Sequence, residues 1–160
     1  MVNKRKGCKP SGCSTVSKIH KPTKNILKMI EKNKQGIKLD VGCGSNKQKG
    51  FIGMDIRAIE GVDIVHDVED TPYPLPKECF QTILASHLVE HLNPKLMIKI
   101  MDEWWRLLRP SGQLWIAIPY ATSFGFYQDP THCNPWNEAT PTYFSPYHPF
   151  TKYTDPSPGQ

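Results

Sequence analysis

Apolar residues along this chain follow two rhythms, and the switches between them divide it into elements. Ile26, Met29 and Ile30 fall at helical spacing within residues 22–36, Leu27 widens their stripe, and Gly36 offers a stop. Short apolar runs follow: IKLDV (37–41), FIGMDI (51–56), VDIVHDV (62–68) and CFQTILAS (79–86) each predict a strand. The helical period then returns through Met97, Ile100, Met101, Trp104, Trp105 and Leu108. Asn93 caps this helix, Pro94 opens its first turn, and it is expected to end at Arg109, before Pro110, Ser111 and Gly112. LWIAI (114–118) predicts a strand buried between layers, closed by Pro119. Both helix tryptophans, with Trp115 and Ile118, read as core.

This order predicts an α/β fold: a reduced Rossmann-like three-layer domain with a mostly parallel sheet and an irregular C-terminal region. The first connections are short for such a fold. Residues 45–50 can reach roughly 20 Å, enough to return along a five-residue strand without a helix. Parallel strands with stripped-down crossovers and a local hairpin both satisfy that reach. Beyond the last strand, eight of the fifteen prolines fall in residues 119–160, interleaved with Tyr, Phe, Trp and His. No regular helix or central strand runs far through such a stretch, yet its aromatic area favours packing. The expected organisation is therefore a basic arm over 1–21, a Rossmann-like core over 22–119, and a Pro- and aromatic-rich acceptor-pocket region and tail over 120–160, of which 152–160 are expected to fray.

Charge sharpens this division. Residues 1–38 carry eleven Lys/Arg against one acid, whereas 39–160 carry nine against fourteen. The basic character belongs to the arm, which suits nucleic acid or another polyanion as well as a simply solvated segment. Five cysteines without a repeated CxxC suggest neither a disulfide framework nor a zinc-finger spacing. Cys8 and Cys13 with His20 form only a loose metal motif, and no metal is expected. No apolar run is long enough to span a bilayer and no secretory signal is visible, so a cytoplasmic protein without membrane insertion is expected.

Open α/β sheets bind ligands beyond the C-terminal ends of their strands, and polar groups recur there. Asp40 closes the first strand, and Gly42 and Gly44 flank Cys43 in a turn where close backbone approach is useful. Asp55 and Asp67 end the next two strands, and Ser86 and His87 end the fourth.

The strings LDVGCGSN, FIGMDI, HDVED with PYPLP, FQTILASHLVEHL and LLRPSGQLWIAIP, in this order over residues 37–119, resemble class I S-adenosylmethionine-dependent methyltransferases of the small methyltransferase-domain group. The resemblance implies S-adenosylmethionine as cofactor and favours parallel strands. It implies that Gly42, Cys43 and Gly44 run beside the methionine moiety and that Asp40 contacts its amino group. By the same resemblance Asp55 accepts from the ribose hydroxyls, Asp67 and the backbone of Val68 lie near adenine, and Ser86 and His87 line the transfer pocket. Asn46 stands where many members have a third glycine. The helix after the first strand is lacking, and the family's last two strands have no counterpart after Ile118. That exposes a sheet edge, or leaves its coverage to the Pro-rich region or to a second subunit in a homo-oligomer.

His132 and Asp129, in QDPTHCNPW, are the candidates for proton handling together with His87, because imidazole titrates near neutral pH. They read equally as loop-packing groups, and His91 shares that ambiguity. The expected activity is methyl transfer to an unidentified acceptor: a small molecule, a saccharide-like compound or a nucleic acid engaged through the arm. A noncatalytic Rossmann-like binding or structural module with vestigial cofactor affinity is the alternative.

Overall fold

The computed structural model describes residues 24–33 and 36–145. The basic arm, with its nucleic-acid expectation, and the tail from residue 146 lie outside these residues. Helix α1 (Lys24–Lys32) leads into a five-stranded sheet: β1 (Ile37–Val41), β2 (Ile52–Asp55), β3 (Ile64–Val65), β4 (Phe80–Ser86) and β5 (Leu108–Ala117). Helix α2 (Met97–Leu107) joins β4 to β5, and a short α3 (Phe124–Tyr127) follows the sheet.

The strand order is β3-β2-β1-β4-β5 and every pairing in the sheet is parallel, so the reduced crossovers are real and no hairpin occurs among the described residues. The β1–β2 connection is pinned without a helix. Gly42 and Cys43 donate to the Met54 carbonyl, Gln48 donates to Asp40, and Gly53 and Lys47 donate to Asp63. These bonds replace the backbone satisfaction that a crossover helix would supply.

Register separates the two faces of the sheet. Leu39, Ile52, Ile83 and Leu114 form one row, and Val41, Met54, Ile64, Ala85 and Ile116 the next. Both rows belong to a single core with Ile100, Trp104 and Leu107 of α2. The opposite face carries Lys38, Thr82 and Gln113 in one row and Gly53, Asp40, Leu84 and Trp115 in another.

Several expectations need correction. Trp104 is fully buried, but Trp105 is 76% exposed and anchors nothing in the core. Trp115 is 47% exposed, and along β5 exposed residues alternate with partly buried ones instead of forming a doubly covered strand. The cause is position: β5 is the sheet's edge, and the described residues cover the Trp115 side of it only in part. The long helix ends at Leu107, two residues early, and β5 starts at once. The Pro110–Ser111–Gly112 signal survives as a bulge, with Ser111 at φ 63° and three more residues on β5 than on β4 between the pairs Phe80–Leu108 and Thr82–Gln113.

Of the aromatic C-terminal region, the part to Ser145 is irregular and docked. Trp136 and Phe126 are buried, Phe144 stacks on Trp136, and Tyr120 bridges to Trp136. Cys133 and Asn134 donate backbone N–H groups to the Glu90 carbonyl, and the Asn134 amide donates to that of Val89. Phe124, Tyr127 and Tyr143 remain largely exposed, so only part of the aromatic set anchors the segment.

Candidate functional site

The C-terminal strand ends form a rim with two regions. In the first, β1 and β2 bring Asp40, Gly42, Cys43, Gly44 and Asp55 together. Gly42 and Gly44 hold φ of 67° and 55°, in the left-handed region that disfavours side chains. A Cβ on Gly42 would stand 2.7 Å from the Leu88 side chain. Gly44 turns its N–H onto Asp55 Oδ2 at 2.9 Å.

Asp55 is buried, and burial alone would raise its pKa. Hydrogen bonds from the Arg57 side chain, the Arg57 backbone and the Gly44 backbone outweigh that and hold it below the usual carboxylate value. Oδ1 accepts the Arg57 N–H at 2.9 Å and Nε at 3.0 Å, while Oδ2 accepts Gly44 and, at 3.4 Å, Arg57 Nη2. A carboxylate has about four acceptor positions, and here all are taken. Asp40 differs: burial pushes its pKa up, against the Gln48 N–H at 2.7 Å and the nearby Lys47 charge. Cys43 is buried between these acids, and burial first, then the charges of Asp40 and Asp55, push its thiol up to about 11. It is a packing group and no nucleophile at neutral pH.

Asp67 and Val68 follow β3 at the same rim. Asp67 accepts the Glu69 N–H, and the Val68 carbonyl accepts the Tyr73 hydroxyl, which itself accepts Trp104 Nε1. Glu103 takes the Tyr73 N–H and pairs with Arg106 at 2.6 Å, and Arg106 also donates to the Tyr73 and Leu75 carbonyls. The segment after Val68 is thus tied to α2.

The second region lies beyond β4. Ser86 is exposed at the strand end, and His87 follows in left-handed backbone at φ 50°, an uncommon strain for a residue with a Cβ. Its Nδ1 lies 3.2 Å from Glu90 Oε1. His91 stacks edge-on against His132 at 4.6 Å between centroids, and Asp129 Oδ2 stands 3.7 Å from His132 Nε2. Hydrogen bonds from the Thr131 hydroxyl and backbone lower the pKa of Asp129. The three residues predicted for proton handling therefore converge, but around Glu90 and His91, which sequence reasoning left aside or ambiguous. The signal was present as H-x-x-E-H directly after a strand, which places the residues on one turn. Arg57 was missed because nothing in the sequence shows it folding back on Asp55. A cleft of about 250 Å³ beside Ile30, Gly36, Cys79 and Arg109 lies at the strands' opposite ends, away from this rim.

The family model described as a methyltransferase domain matches residues 46–116. Among solved structures, a SAM-dependent methyltransferase from Archaeoglobus fulgidus is 26% identical, with a TM-score of 0.59 over 75% of this chain and 63% of that one. Residues 46–116 thus match a methyltransferase domain, carried on a Rossmann-like parallel sheet. The chain spans less than two thirds of that relative's length. A protein from Pyrococcus horikoshii OT3 matches at 23% identity and TM-score 0.43, over 57% of this chain and 52% of that one. No curated protein matches the chain. Among the described residues, no helix is long and apolar enough to cross a membrane.

Proposed function

We propose that the chain binds S-adenosylmethionine along the β1–β2 rim and transfers its methyl group to an acceptor held between β4 and residues 120–145. The observation that carries this reading is the pairing of a left-handed glycine turn with the buried Asp55 at adjacent strand ends, inside a methyltransferase domain. The residues fit the group. Once the Arg57 side chain swings off it, Asp55 offers paired acceptors to a ribose diol, the Asp40 carboxylate suits an ammonium, and the glycines let the turn pack closely against Leu88 and Arg57 at the rim. Asp67 and Val68 flank the same rim for the base, held there through Tyr73 and Trp104.

S-adenosylmethionine, when bound, supplies a methyl group already electrophilic on its sulfonium. The chain's task is then to align the acceptor and exclude water. Ser86 and His87 stand at the strand end nearest that work, with Asp129 available to hold or take a proton. A small-molecule or saccharide-like acceptor suits the docked C-terminal segment, while nucleic acid would be drawn by the arm. A second copy of the chain would cover the β5 edge.

Calorimetric titration with S-adenosylmethionine tests the reading. Asp55→Ala should weaken binding by about 1.5–3 kcal/mol, the range for hydrogen bonds to a charged group. Equal affinity in a folded Asp55→Ala protein removes Asp55 from the site. One observation favours the noncatalytic alternative: Arg57 occupies Asp55. Label transfer from methyl-labelled cofactor into an acceptor library separates the two, because a binding module gives affinity without transfer.

A further inference from the structure

The geometry points to a site for a divalent transition-metal ion formed by Glu90, His91 and His132. One carboxylate oxygen of Glu90 and one ring nitrogen of each histidine lie within 4.8 Å of one another. Glu90 is only 1% exposed, and its Oε2 is the one buried side-chain polar atom without a hydrogen-bond partner among the described residues. A buried carboxylate oxygen left unpaired is costly, and a cation is the partner that would relieve it.

The surrounding hydrogen bonds prepare both histidines as ligands. His132 Nδ1 lies 2.8 Å from the Phe126 carbonyl, which can only accept, so a proton sits on Nδ1, and Nε2, 3.7 Å from Asp129 Oδ2, is the nitrogen left to bind an ion. Thr131 Oγ1 donates to Asp129 Oδ1 at 2.7 Å, so it accepts from His91 Nδ1 at 3.0 Å. That leaves His91 Nε2 free as well. A carboxylate, a hydroxyl and a carbonyl fixing ring tautomers in this way are the usual outer support of a histidine-bound metal. Asp129 adds a second carboxylate to the cluster, with Oδ2 3.7 Å from His132 Nε2.

Two imidazoles with one carboxylate favour zinc, manganese, iron or cobalt over magnesium or calcium, which prefer all-oxygen sets. Bonds near 2.1 Å would draw the three atoms together by at most roughly 1.5 Å. Three protein ligands leave coordination positions open. On the methyl-transfer reading, which this clause alone rests on, an open position beside Ser86 and His87 would take a hydroxyl oxygen of the acceptor and lower its pKa.

The test is a Co²⁺ titration of the full chain carrying Cys8→Ser and Cys13→Ser, which removes the N-terminal thiols as competing ligands. One saturable equivalent with visible d–d absorption is expected, displaced by Zn²⁺. His132→Ala and Glu90→Gln should each weaken it at least about tenfold, and Thr131→Val should weaken it about 10- to 100-fold by releasing His91. If the buried-site variants unfold, His91→Ala decides, since that side chain is exposed. Absence of saturable absorption, or unchanged affinity in folded His91→Ala and Thr131→Val proteins, overturns the site. The readout needs no S-adenosylmethionine, so a failure of methyl transfer would not affect it.

Discussion

Asp55 and Glu90 are buried to a similar degree, at 5% and 1% exposure, on two regions of the same rim, yet they are accommodated in opposite ways. Around Asp55 the chain supplies every hydrogen bond itself, from Gly44 and three donors of Arg57. Around Glu90 it supplies His87 to one oxygen and nothing to the other. A self-satisfied carboxylate is a preorganised acceptor whose exposed cover must move aside for a ligand. An unsatisfied one needs a ligand to complete it. The rim thus divides into a region complete without ligand and a region finished by an ion.

The largest break in this contrast should come from the core beneath the first region. Trp104→Ala removes a fully buried ring and the Nε1 bond that orients Tyr73 beneath Val68. A loss of about 3–5 kcal/mol in denaturant unfolding is expected. Next in size is the direct comparison of the two acids. Asp55→Asn should cost about 1.5–3 kcal/mol, since it weakens several charge-assisted hydrogen bonds. Glu90→Gln should cost under about 1 kcal/mol without metal, because it also relieves a buried, half-satisfied charge. Equal losses in urea titrations of the two metal-free variants would erase the distinction. Smallest is the cover itself: Arg57 is 61% exposed and its ion pair is the kind worth about 0.2–1 kcal/mol. Arg57→Ala should therefore tighten S-adenosylmethionine by up to about fivefold in calorimetry, whereas weaker binding would make Arg57 a ligand contact instead of a cover.

Much of the first region was legible in the sequence because its logic is local. Asp40, Gly42, Gly44 and Asp55 lie at strand ends that apolar runs mark directly, and parallel pairing then brings the ends together. The second region was legible only in pieces. Its partners, His91 and Thr131, are separated by forty residues, and their meeting depends on Trp136 and Asn134 docking an irregular segment that no periodicity predicts. Exposure of Trp105 and Trp115 was misread for a related reason. An apolar run shows that a strand exists, but not whether a layer covers it, and β5 lies at an edge.

The stripped-down first crossover bears on how the chain folds. Asp40 and Gly53 pair across only thirteen residues of chain, whereas Asp40 and Leu84 pair across forty-four. Closing the longer loop costs about 1 kcal/mol more in chain entropy. The β1–β2 pair therefore lowers the contact order of one half of the sheet and is the natural nucleus there, while β4 joins only after the longer search. The feature that takes a helix away from the β1–β2 rim thereby lets that rim assemble early.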